Sequence, residues 1–378
     1  MFFFISFETD SNEIQSADMT RRHSPGPRCT DGVTLRDVAR EAGVSAATAS
    51  RVFNGKGSVS ERTRERVLQA AEDLHYTVNT LAKSMMGIGP RLLVYITFAR
   101  SGTQSDVIDG MEQTAARHGA MFTANTAGPD IRQERALIRM YMQQRATGMI
   151  FGKSGDGSPE YVERIRRYDE ALRSIGSYLV LCRPEIPQLP QVATVSYEQT
   201  MAVSRAVHNL AMLGHRRIAF IGDWDQDSAR RRVDGYRRGL ESEGIPVDPS
   251  LIARCPSITA DGSRAAEQLL GRFIERPNER PTAVMTFSDD IAIGVYRAAK
   301  RLGLRIPDDL SVVGFDDIPF AADVTPSLTT IRPSFRAVGQ CAAELVFEKP
   351  GPGSPNLHTT FESRFILRDS IAPPAEKR

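Results

Sequence analysis

The chain has 378 residues, 41% of them hydrophobic, with 48 Lys/Arg against 46 Asp/Glu for a formal net charge of +2. That length exceeds one ordinary domain and can bury a sizeable core, whereas near-neutrality argues against a general polyanion or membrane-surface binder. Four scattered cysteines (Cys29, Cys182, Cys255, Cys341) suggest neither disulfide framework nor zinc site, no apolar run reaches membrane-spanning length, and MFFFISF lacks the basic flank of a signal peptide. A cytoplasmic protein without metal or cofactor is therefore expected. Residues 1–32 are polar and rich in Ser, Pro and Arg, which predicts a disordered extension and leaves Met19 open as the initiator. RRHSPGPR at 21–28 reads first as a solvated tail and second as a basic arm on phosphates.

Residues 34–54, TLRDVAREAGVSAATASRVFN, read as two short helices joined by a Gly turn. Thr34 and Asp37 have capping-box spacing. Leu35, Val38, Ala39 and Ala42 form one apolar stripe, Gly43 supplies the turn, and Ser45 is a good N-cap. Steps of about 100° per residue place Ala46, Ala47, Ser50, Arg51 and Asn54 on one arc of the second helix. Ala49, Val52 and Phe53 fall on the opposite arc. The outward side is small, hydrogen-bonding and carries one arginine, as a helix in a DNA major groove requires. Bulk charge does not decide the matter, because residues 30–86 hold eight basic against seven acidic side chains. VSERTRERVLQAAEDLHY (59–76) predicts a third helix capped by Ser60, enough to close a small core over 33–76. TVNTLAKSMM leads to Gly87-Ile88-Gly89-Pro90, either an ordinary linker or a short helix wedged into a minor groove.

From Arg91 onward, apolar strands alternate with amphipathic helices. LLVYITF, MFTAN, GMIF, YLVLC, VATVS, RIAFIG, AVMTF and LSVVGF are the strands. The helices fall at Val107–His118, Ile131–Gln144, Tyr161–Ser174, Ala202–Leu213, Ser228–Gly244, Ser263–Ile274 and Ile291–Leu302. Continuous apolar strands between helices predict parallel sheets covered on both faces, here in two α/β lobes. A ligand then belongs in the crevice at the strands' carboxyl ends.

DVAREAGVS, TASRVFNG, VSERTRERV and NTLAKSM resemble, in order and spacing, the DNA-binding headpiece of the LacI (lactose-repressor) family of bacterial transcription regulators. The resemblance implies base readout by Ala46, Ala47 and Arg51, with Thr48, Ser50 and Asn54 on the phosphate side. It makes residues 77–90 a hinge and puts Met85 at the minor-groove wedge. Leucine is usual at that position, and the proline usual at Val78 is missing. Two alanines offer only methyl contacts, so Arg51 carries most of the hydrogen-bonded readout.

LGHRRIAFIG, SARRRVDGY, SDDIAIG, IPDDLSVVGFDD and TPSLTTIRPSF resemble the same family's effector core, which is periplasmic-binding-protein-like of type I. The implied fold is an all-α helix-turn-helix headpiece plus a two-lobed α/β core over 91–378. The first lobe is expected at about 91–195 plus 319–345, the second at about 196–318 plus 346–378. Carried over by motif, Arg232 and Asp316 grip ligand hydroxyls, one donating and the other accepting. Ser288 and Glu198 stand where the family has Asn and Asp, and Asp289 is expected to cap its helix. Trp224, the single tryptophan, could stack on a sugar face.

Enzymatic readings are weak. GMIFGKSGDG has one residue too few for a P-loop, and no G-x-S-x-G, HExxH or dinucleotide-binding glycine pattern is present. His215 reads as structural. A homodimeric repressor on a palindromic operator, controlled by a small carbohydrate-like effector, is the expectation. A solute-binding protein for uptake is the alternative, and residues 34–86 argue against it.

Overall fold

The computed structural model describes residues 33–54, 59–76, 91–97, 104–128, 130–152, 157–222, 227–255 and 259–375. The extension at 1–32, the hinge at 77–90 with Met85, Lys153-Ser154 and Trp224 lie outside the described residues. The chain divides into two compact units, Met1–Gly89 and Pro90–Arg378.

Among the described residues, the first unit holds three helices: α1 (Leu35–Glu41), α2 (Ala46–Asn54) and α3 (Glu61–Asp73). Asp37 accepts from the Thr34 amide at 3.0 Å and its hydroxyl at 2.6 Å, and these bonds hold its carboxyl below the usual range. Gly43 takes the left-handed turn at φ +62. Ser45 and Ser60 cap α2 and α3 by accepting from the amides of Thr48 and Thr63 at 3.1 and 3.3 Å. Val38 and Ala39 of α1, Ala49 and Val52 of α2, and Val67, Ala70 and Ala71 of α3 are buried together. Arg66 on α3 donates to the Ala42 carbonyl at 3.0 Å, tying the third helix to the end of the first.

The second unit opens with β1 (Arg91–Thr97), α4 (Gln104–Arg117), β2 (Ala120–Thr126), α5 (Ile131–Gln143), β3 (Gly148–Phe151), α6 (Pro159–Ser174), β4 (Tyr178–Leu181) and β5 (Ala193–Tyr197). It continues with α7 (Thr200–Met212), β6 (Ile218–Gly222), α8 (Asp227–Ser242), β7 (Ile252–Arg254), α9 (Thr259–Gly271), β8 (Ala283–Thr286), α10 (Asp289–Arg301), β9 (Ser311–Val313) and α11 (Phe320–Asp323). The last elements are β10 (Thr330–Arg332), α12 (Phe335–Glu348), β11 (His358–Phe361) and β12 (Arg364–Ile366). One parallel sheet has the order β11-β5-β4-β3-β1-β2, a second the order β7-β6-β8-β9, and β10 pairs antiparallel with β12.

Alternation along the strands of the first sheet feeds two separate cores. Leu93, Tyr95, Ile150, Val180 and Val195 face one way, while Val94, Ile96, Met149, Phe151 and Leu179 face the other. The second lobe packs around Phe220, Tyr236, Val284 and Phe315.

The lobe boundaries differ from those expected. Ser196 and Tyr197 belong to β5, and β11 pairs with β5, so 346–361 lies in the first lobe. Ala321, Leu328 and Ile331 sit in the second lobe's core, so the return to the first lobe comes near α12 rather than at 319. The chain therefore passes between lobes three times, after β5, after β10 and after β11. The strand β11 was invisible to the apolar-run criterion because, at the edge of the sheet, it reads HTTF and is only half-buried.

Two glycines allow α4 and α12 to meet closely. A Cβ at Gly110 would stand 2.3 Å from the Arg336 carbonyl oxygen, and one at Gly339 would stand 2.1 Å from that of Val107. Both obstacles are backbone, so neither helix can yield locally. Gly339→Ala is expected to lower stability by about 1–3 kcal/mol despite alanine's better helix propensity; an unchanged urea midpoint would contradict this packing.

Candidate DNA-binding face and effector cleft

The outward side of α2 has the composition the sequence promised. Ala46, Ala47 and Arg51 are exposed, Thr48 and Ser50 are half-buried, and Ala49 and Val52 are buried beneath them. Thr48 shares a 2.9 Å hydroxyl contact with Ser45, so it sits on the capping turn at the start of the helix. Arg51 makes no ion pair among the described residues, which leaves its planar donor fork open to solvent. Asn54 ends the helix, and its side chain lies outside the described atoms. The Phe53 and Tyr76 rings, 5.6 Å apart, close the far side of the unit.

In the second unit, a polar cluster forms at the carboxyl ends of both sheets. Arg232, on α8, is only 3% exposed. Its Nε donates to Gln199 Oε1 at 3.1 Å and its Nη1 to the Phe287 carbonyl; its Nη2 reaches Asp316 Oδ1 at 3.2 Å and the Tyr197 hydroxyl at 3.4 Å. The guanidinium lies between two rings, 4.3 Å from the Phe287 centroid and 3.6 Å from that of Phe315. Burial pushes the Asp316 carboxyl up to about 6, against the opposing pull of Arg232. Asp316 and Asp317 follow β9 with φ of 109 and 54, a conformation rare for residues with side chains. Asp317 is held there by Arg332 and by Arg368, the latter at 2.7 Å. A cavity of about 380 Å3 adjoins this turn, with Asp106 and Phe335 of the first lobe facing Asp316, Asp317 and Arg332 of the second.

Arg232 and Asp316 thus come together in a direct ion pair, but their neighbours differ from those the motif implied. Glu198 turns away to bind Arg205 at 2.7 Å, and Gln199, one residue on, reaches Arg232 instead. Ser288 is the helix cap, accepting from the Ile291 amide at 3.4 Å. Asp289 does not cap: it is fully buried and accepts from the Thr330 hydroxyl at 2.6 Å and the Ile318 amide at 2.9 Å. Tyr197, Phe287 and Phe315 were not singled out, although each ends a strand pointing at the crevice or follows one within two residues. His215 is structural, bonded to Thr282 at 2.8 Å and to the Ala372 carbonyl at 2.9 Å, and burial lowers its pKa.

A small helical unit with an open recognition face, joined to a two-lobed core with a polar crevice, defines the class of ligand-responsive DNA-binding regulators. Residues 34–79 match the model of the bacterial regulatory proteins of the lacI family, and 207–371 match a periplasmic binding protein-like domain. The transcriptional repressor PurR of Vibrio atlanticus (strain LGP32) is 31% identical over 318 residues, 84% of this chain and 91% of that protein. The transcriptional repressor CytR of Escherichia coli (strain K12) is 32% identical over 318 residues, covering 84% and 89%. The Lac repressor dimer bound to operator and the anti-inducer ONPF superposes with a TM-score of 0.79 at 25% identity, covering 90% of this chain and all of that one. The chain belongs to the LacI family: it is a transcriptional repressor with a ligand-binding domain, not an enzyme.

Burial pushes Asp289 up to about 8, against the pull of Thr330 and the Ile318 amide. A carboxyl whose folded pKa exceeds its unfolded one near 3.8 favours folding at low pH, and that contribution is lost as pH rises from about 4 to about 8. Asp289→Asn is therefore expected to gain stability relative to the wild type between pH 5 and pH 8. Parallel urea-midpoint curves for the two proteins across that interval would refute it.

Proposed function

We propose that this protein is a homodimeric repressor of a palindromic operator whose DNA affinity is set by a small polyhydroxylated, sugar-like effector between the lobes. The observation that carries the effector class is the Arg232–Asp316 pair at the carboxyl ends of both sheets, a donor fork beside a charged acceptor. Phe335, which lines the adjoining cavity, suits the apolar side of a sugar ring. Ser288 keeps a hydroxyl proton to donate, whereas Gln199 takes the place first given to Glu198.

Ala46, Ala47 and Arg51 read bases in this proposal, with Thr48, Ser50 and Asn54 on the backbone and Met85 at the central minor-groove step. Self-association would draw on exposed apolar side chains of the core, among them Met121 on the edge strand β2 and Phe320 on α11. Three chain crossings let the lobes change orientation without unfolding either. An effector with different affinities for two lobe arrangements then shifts their populations, and with them the DNA-competent fraction.

Arg51→Ala is expected to weaken specific operator binding by about 1–3 kcal/mol and to relax selectivity at one base pair. Mobility-shift titration over an operator library, with operators found by selection from random duplexes, measures both; wild-type affinity would remove Arg51 from readout. Asp316→Asn is expected to keep operator affinity while losing the response to whichever saccharide shifts the wild type's melting temperature. A mutant that still responds at wild-type concentration would place the effector elsewhere.

A further inference from the structure

At the amino ends of the second lobe's strands, opposite the edge carrying Arg232 and Asp316, a cavity of about 420 Å3 lies among Arg216, Arg217, Arg280, Pro307, Asp309 and Pro374. Three arginines line this one space, two from the segment before β6 and one from the segment before β8. Two carboxylates, Asp308 and Asp309, share the lining, and both are bonded first to Arg305, with Arg280 adding only its charge to the field at Asp309. Asp309 accepts from the Arg305 amide at 2.9 Å and from its Nε at 3.0 Å, and Asp308 pairs with the same arginine at 3.2 Å. Arg280 donates Nη2 to the Asp309 main-chain oxygen at 3.3 Å, yet its Nε is buried with no partner. Arg217 gives its Nε to the Glu279 carbonyl at 2.6 Å and stands 3.6 Å from Asp248, beyond a good hydrogen bond. Arg216 is exposed and makes no ion pair among the described residues.

We propose that this cavity binds a phosphate-bearing small molecule, at a site separate from the crevice between the lobes. A planar guanidinium matches two phosphate oxygens at once, and charge-assisted bonds of that kind are the strong ones. A neutral sugar offers oxygens but no charge to balance adjacent arginines. The volume falls within the range of about 300–1,000 Å3 usual for small-ligand pockets. Structurally the walls are firm: His215, buried behind the cavity, links the segment before β6 to Thr282 and to the C-terminal tail at Ala372.

The test uses the full chain, calorimetric titration and thermal melting, with inorganic phosphate, pyrophosphate and glucose 6-phosphate at constant ionic strength. Saturable binding of at least one probe is expected. Arg216→Gln, which disturbs no contact of the fold, should weaken it about tenfold by removing one charge-assisted contact. Arg280→Gln should weaken it further, and Asp316→Asn should leave it unchanged. Wild-type affinity in Arg216→Gln and Arg280→Gln overturns the proposal, as does a response that chloride reproduces at equal ionic strength. Loss of phosphate binding in Asp316→Asn alone would also overturn it, by assigning the anion to the crevice.

Discussion

An arginine cannot shed its charge, so burying one obliges the surrounding chain to converge on it with acceptors. Arg232 imposes that obligation on this fold. Its partners come from the end of β5, the turn into α7, the end of β8 and the turn after β9. Those are the carboxyl ends of strands from both lobes, so one guanidinium gathers the edges of two sheets. Phe287 and Phe315 cover its faces, which keeps water from supplying the acceptors instead. Asp316 bears the opposing strain: desolvation favours its neutral form, and Arg232 favours its charged one. On the proposed function, an effector hydroxyl entering there exchanges one acceptor for another and never strips the guanidinium bare.

The recognition unit rests on a simpler division of labour. Its buried side is made of alanines and valines that allow close helix approach, and its exposed side is small enough to enter a groove. Because Ala46 and Ala47 carry no hydrogen-bonding groups, Arg51 is the one long polar side chain on that arc. Over 30–86 the charges nearly balance, eight basic to seven acidic residues.

Most of the architecture was legible where the chain is strongly patterned. Apolar strand runs and capped helices appear within a few residues of their expected places, because burial on both sheet faces leaves no polar interruptions. The edge of the first sheet was not legible, since β11 carries threonines and borders solvent. Site residues were legible by motif but not by register. Successive side chains at a strand's exit point to opposite sides, so a step of one residue decides that Gln199, and not Glu198, meets Arg232. The same single step separates Ser288, which caps α10, from Asp289, whose carboxyl lies in the interior bonded to Thr330 and the Ile318 amide.

The threefold passage of the backbone between lobes has a consequence for biosynthesis. The first sheet cannot close until His358–Phe361 has been made, and Thr330–Arg332 waits for Arg364–Ile366. Neither lobe is therefore a contiguous stretch that matures as it leaves the ribosome. Pairings of such long sequence separation form slowly, so a nascent chain exposes the β5 edge until β11 has been made. A ribosome stalled shortly before residue 358 releases two unfinished lobes rather than one finished and one missing.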